Sequence, residues 1–145
     1  MPRAREQQIS LETTPYYHCI SRCVRRAFLW GEDSLTGKDY KHRKEWVIER
    51  LRELAGVFCI DICAYTVMSN HYHLVLRVDR EQAEQLDETQ VIARWGALYS
   101  LPLLVARFDR GERATQAEQD KAREIIGTWR ERLSDISWFM RRLIE

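Results

Sequence analysis

No run of about 18 or more apolar residues occurs anywhere in this sequence, which excludes a transmembrane helix. The first eight residues, Met1-Pro2-Arg3-Ala4-Arg5-Glu6-Gln7-Gln8, are polar and lack the apolar region of a signal peptide. Both absences point to a cytoplasmic protein with reduced thiols and no membrane partner. Repeats and low-complexity tracts are also missing. The net charge is only +1, so overall basicity does not announce a nucleic-acid partner. Cysteine is scarce: four residues form two Cys-x-x-x-Cys pairs, Cys19/Cys23 and Cys59/Cys63. A four-thiolate zinc site would want such pairs on turns or knuckles. Here they lie in apolar, strand-like runs, where positions i and i+4 sit roughly 13 Å apart. Buried free thiols are the expectation, because cysteine is among the most buried residue types.

What is present is enough for one domain. The chain has 145 residues, 45% hydrophobic and 31% charged, the usual balance for a globular fold that buries a core. Basic residues are clustered: Arg22, Arg25 and Arg26; then Lys38, Lys41, His42, Arg43 and Lys44; then Arg141 and Arg142. Each cluster alone is an ordinary solvated face. Folded onto one side, they would make a phosphate-binding surface.

The most informative stretch is Ser69-Asn70-His71-Tyr72-His73-Leu74-Val75-Leu76. Its apolar run is short and aliphatic, which predicts a buried strand. On a strand, His71 and His73 project to one side, roughly 6–7 Å apart, while Tyr72 and Leu74 face a core. Two imidazoles so placed can converge on one divalent metal. Spacing alone equally fits two half-exposed histidines without a role. The run Ile60–Met68 precedes the pair and ends in the turn-like Met68-Ser69-Asn70, so the two runs predict a hairpin.

Residues 1–14 read as a mobile leader. Pro15–Val24 reads as a first strand, with Tyr17, Cys19, Ser21 and Cys23 on one face and Tyr16, His18, Ile20, Arg22 and Val24 on the other. Arg25–Trp30 is a candidate short extended piece, followed by a turn-rich loop to Gly37. Apolar residues at three- and four-residue intervals predict a helix from about Tyr40 to Val57, with Gly56 as its stop. The first half thus reads strand, helix, strand, strand, an α+β arrangement on an antiparallel sheet.

The second half reads as helical. Glu81–Glu88 is a loop or a helix start, and Gln90–Val105 is helix-compatible but interrupted at Leu101-Pro102. Phe108–Arg113 is a loop. Thr115-Gln116-Ala117-Glu118 has a capping-box pattern opening a helix to about Arg132. Ser134–Ser137 starts a last helix with Trp138, Phe139 and Leu143 as apolar contacts. That pattern carries no stop signal before Glu145, which reads as a truncated chain.

Two blocks carry a family resemblance: Tyr16-Tyr17-His18-Cys19-Ile20-Ser21-Arg22, and Ala64-Tyr65-Thr66-Val67-Met68-Ser69-Asn70-His71-Tyr72-His73-Leu74-Val75-Leu76. In them the sequence resembles the single-tyrosine HUH transposases, closest to the REP-associated tyrosine transposase branch. The resemblance covers residues 15–78 well. It is weaker at Ser137–Leu143, which looks like the start of the family's nucleophile helix, and residues 79–133 match nothing in it. It implies a ferredoxin-like palm with an antiparallel sheet and crossover helices at 15–78; the helical half at 79–145 rests on the residue pattern alone. It implies Mg²⁺ or Mn²⁺ on His71 and His73, with histidine ligation leaning to manganese. It also implies single-stranded or hairpin DNA as partner, met by Arg22, Arg25, Arg26, Arg141 and Arg142. The intact family cleaves and rejoins DNA through a tyrosine on a C-terminal helix.

No tyrosine lies between Trp138 and Glu145, so the catalytic nucleophile is not matched. Tyr99 is the last tyrosine and falls in the unmatched middle. His18 is a candidate third ligand by its chemistry, and equally a hydrogen-bonded core histidine. The family includes monomers and homodimers, and both states stay open. The sequence therefore supports a transposase-like DNA-binding protein, with a non-catalytic, domesticated DNA binder as the alternative. A metal-dependent hydrolase of small phosphate esters is a third reading. It lacks a carboxylate cluster, since Asp61 and Asp79 are the only nearby acids.

Overall fold

A computed structural model describes residues 14–22 and 37–144. Most of the expected leader, the extended piece at 25–30, Cys23, Arg25 and Arg26 lie outside the described residues. The fold is α+β. It has three strands, β1 (Tyr16–Arg22), β2 (Ile60–Val67) and β3 (His71–Val78), and six helices. The helices are α1 (Gly37–Val57), α2 (Arg80–Gln85), α3 (Glu88–Gly96), α4 (Leu103–Asp109), α5 (Gln116–Arg132) and α6 (Ile136–Ile144).

The sheet order is β1-β3-β2, and β3 is antiparallel to both neighbours. β1 and β2 therefore run the same way with β3 inserted between them. That is a split βαβ unit with α1 in its connection. The period-two pattern of β3 fixes its facing. Tyr72, Leu74, Leu76 and Val78 are buried, and the residues between them are half-buried. Leu74 and Leu76 are fully buried, each contributing about 1.5–3 kcal/mol relative to exposure.

One apolar cluster joins that sheet face to the helices. Val47, Leu51, Leu54 and Val57 of α1 recur on one face and meet Phe58, Ile60 and the β3 residues. Phe139, Met140 and Leu143 of α6 belong to the same cluster, and Phe139 meets Phe58 edge to face at 5.5 Å. Hydrogen bonds tie the halves together: Cys59 N–H donates to the Leu133 carbonyl at 2.7 Å, and Asp79 N–H donates to Cys59 O at 2.9 Å.

Two expectations are corrected. Gly56 does not stop α1, which continues to Val57. The guanidinium of Arg94 on α3 closes the helix end, with Nη1 donating to Val57 O at 2.9 Å. The interruption expected at Leu101-Pro102 is present: α3 ends at Gly96, and Pro102 sits at the N-cap of α4. Cys63 is exposed rather than buried, whereas Cys19 and Cys59 are buried free thiols as expected. The cause is a β-bulge. Ile62 pairs with Leu76 and Ala64 with Val75, leaving Cys63 as the extra residue on β2. Burial pushes the Cys59 thiol pKa up.

Candidate functional site

The helices cover one side of the sheet, and the candidate site is on the other. Tyr16, His18, Ile20 and Arg22 of β1 are exposed there, beside His71, His73, Val75 and Arg77 of β3. Register explains the grouping. Arg22 lies opposite His71 and Ile20 opposite His73, so His18 is diagonal to His73 on the same face. His71 and His73 face away from the core, as alternation predicts.

Three imidazoles meet in consequence. The His18 and His73 rings are stacked with centroids 5.2 Å apart, and the His71 and His73 centroids are 5.1 Å apart. His18 Nε2 lies 3.1 Å from His73 Nδ1. In the neutral pair one of these nitrogens donates and the other accepts. The same separation suits two adjacent ligands on one ion with metal–nitrogen bonds of about 2.0–2.1 Å. His71 Nδ1 lies 2.6 Å from Asn70 Oδ1. A carboxamide oxygen only accepts, so Nδ1 carries the proton and the lone pair of His71 is on Nε2. That is the usual outer-sphere arrangement of a metal-binding histidine.

Among the described residues, no group of three or more His, Cys, Asp or Glu side chains has a geometry that could hold a metal ion. The closest approach to one is the His18–His73 nitrogen pair, with His71 oriented through Asn70. The donors are imidazoles, which suit a manganese- or zinc-like ion and not magnesium. Among the described residues no carboxylate joins the imidazoles. Arg77 holds Asp61 at 3.0 Å and Asp79 at 3.5 Å, four residues along β3 from His73. The Asp61 hydrogen bond, helped by the Asp79 charge, raises the Arg77 pKa further. Asp79 also caps α2 by accepting from Gln82 N–H at 3.1 Å.

The arginines divide. Arg22 is exposed on the histidine face, and its side chain has no hydrogen-bond or ion-pair partner among the described residues. Arg141 and Arg142 are on α6, in the helical layer, and are not brought together with the histidines. Arg142 is half-buried: its Nη2 donates to Leu98 O at 3.1 Å and its guanidinium lies 4.9 Å from the Tyr99 ring. Tyr99 is stacked on Trp95 at 4.3 Å within that layer, away from the imidazoles.

Sequence reasoning missed two residues. Asn70 was read only as part of a turn, although it sets the His71 tautomer. Arg43 was counted as one charge in a basic cluster. Its Nη1 donates to Ser69 O at 2.8 Å and so anchors the β2–β3 turn to α1. Its place seven residues before Arg50 on α1 was a usable signal, since Arg50 also reaches out, donating from Nη2 to Arg142 O at 3.0 Å. No helix among the described residues is long and apolar enough to cross a membrane. No family model, curated protein or solved structure matches the chain.

Proposed function

We propose that this chain binds single-stranded or hairpin DNA on the open face of its sheet, with a manganese-type ion that His71 and His73 would hold, joined by His18 once the His18–His73 hydrogen bond is broken and the rings are re-aimed. The observation that carries the reading is the meeting of three imidazoles on one exposed face beside Arg22. The split βαβ order supports it, since that order forms part of the ferredoxin-like palm of the single-tyrosine HUH transposases that the chain resembles. A bound cation would polarise a phosphate oxygen. His18 and His73 must give up their shared proton to offer two lone pairs, Asn70 keeps His71 in the ligating tautomer, and Arg22 supplies positive charge for the backbone.

A second reading is a DNA binder of this class that does no cutting. It is favoured by the packing of Tyr99 against Trp95 in the helical layer, which keeps that hydroxyl off the histidine face. Fluorescence anisotropy with a labelled hairpin, with and without Mn²⁺, tests the common claim. Mn²⁺ should tighten binding, and His71→Ala/His73→Ala should remove that gain. Equal affinity with and without the ion would refute the metal role. A denaturing gel of the same mixture separates the two readings, because a covalent DNA adduct requires a tyrosine that reaches the site.

A further inference from the structure

Arg132 and Arg141 share one indole. The Arg132 guanidinium carbon is 4.2 Å from the Trp138 ring and that of Arg141 is 4.5 Å from it. Arg132 also lies 5.5 Å from Trp95, which is stacked on Trp129. The indoles fix both guanidiniums by cation–π attraction, which is directional and limits their motion. Among the described residues neither side chain has a hydrogen bond or an ion pair. Three other arginines of this layer are committed: Arg94 to Val57 O, Arg130 to Ala83 O, Arg142 to Leu98 O. The nearest acid on α6's entry, Asp135, is turned to its own helix, accepting from Ser137 N–H at 2.7 Å.

Two like charges held on one ring repel each other, and an anion bridging their free N–H edges would remove that cost. The occupied indole offers little room for stacking by a base, so recognition would run through the guanidinium forks. Those match phosphate oxygens in a bidentate manner. We infer that Arg132 and Arg141, positioned by Trp138, form a phosphate-binding pair that takes the sugar–phosphate backbone of the bound nucleic acid, on the helical layer rather than on the histidine face. The nucleic-acid part rests on the function proposed above; the phosphate part stands alone.

The experiment has two arms on the full chain. In the first, hairpin DNA affinity is measured against salt concentration. Each lost phosphate contact removes about 0.9 from the log–log slope, so Arg132→Gln/Arg141→Gln, which removes the one phosphate the pair bridges, should lower it by roughly 1. An undiminished slope in the glutamine variant overturns the assignment to a DNA backbone. In the second arm, inorganic phosphate is titrated into wild-type protein while the arginine Nε–H resonances are followed by NMR. Selective shifts of Arg132 and Arg141 support the phosphate pair even if no hairpin binds, and even if the glutamine variant does not fold. Shifts spread evenly over all arginines, or none at these two, overturn it.

Discussion

The histidines of β3 show how much one side chain depends on its neighbour. His71 is held by a hydrogen bond within its own turn, from Nδ1 to Asn70 Oδ1. Removing that acceptor frees the ring to rotate and to take the other tautomer. Asn70→Ala should therefore weaken Mn²⁺ binding about 10- to 100-fold while leaving the melting temperature nearly unchanged. Calorimetric titration beside a thermal melt checks both halves. Intact affinity in the variant would show that Asn70 does not orient a ligand. Arg142 teaches the opposite lesson. It reads from sequence as a surface cation for DNA, yet its guanidinium bonds the Leu98 carbonyl, and its own carbonyl accepts from Arg50. It links α1, α3 and α6.

At the level of elements, the helix α5 has a complete start signal. Thr115 Oγ1 accepts from Glu118 N–H at 3.1 Å, and Glu118 Oε1 accepts from Thr115 N–H at 3.0 Å. Thr115→Ala should cost about 1 kcal/mol, read as a drop of about 2–4 °C in Tm. The hydrogen bonds from Thr115 hold the Glu118 carboxyl below its usual pKa. A folded value below the unfolded one means that its stabilisation is present above the unfolded carboxylate value, about 4.3, and is lost as pH falls through the folded value. The Tm gap between wild type and Glu118→Ala should thus be open at pH 7 and shrink towards pH 3. A gap that widens on acidification would contradict the sign.

Elements with self-contained signals were legible in the sequence: the cap of α5, the facing of β3, and the break at Pro102. The bulge at Cys63 was not, because it exists only in the register between β2 and β3. The end of α1 at Val57 was legible, but what closes it was not, for a similar reason. Gly56 is a local stop signal, but the partner that closes the helix is Arg94, 37 residues away from Val57. The meeting of His18 with His73 was legible only as a possibility, since it needs the strand order β1-β3-β2.

For the molecule as a whole, one apolar cluster runs from the sheet through α1 to α6. Leu74 sits on the central strand with no exposed surface. Leu74→Ala should lose about 2–5 kcal/mol through lost transfer energy and the cavity left behind. In a urea titration this shifts the midpoint with the slope unchanged, provided that sheet and helices unfold together. A second transition in the variant would show that the helical half is stable by itself. Among the described residues, the same layering leaves one sheet face uncovered, and the proposed function depends on that face. The chain contains a built-in control for it: His42, the fourth histidine, is exposed on α1 and not on the sheet.

Histidine-selective NMR during Mn²⁺ titration tests the claim most directly, because the paramagnetic ion broadens whatever lies beside it. The account predicts that the ring signals of His18, His71 and His73 vanish together at substoichiometric Mn²⁺ while that of His42 persists. Equal broadening of all four, or survival of the three sheet signals, would contradict it.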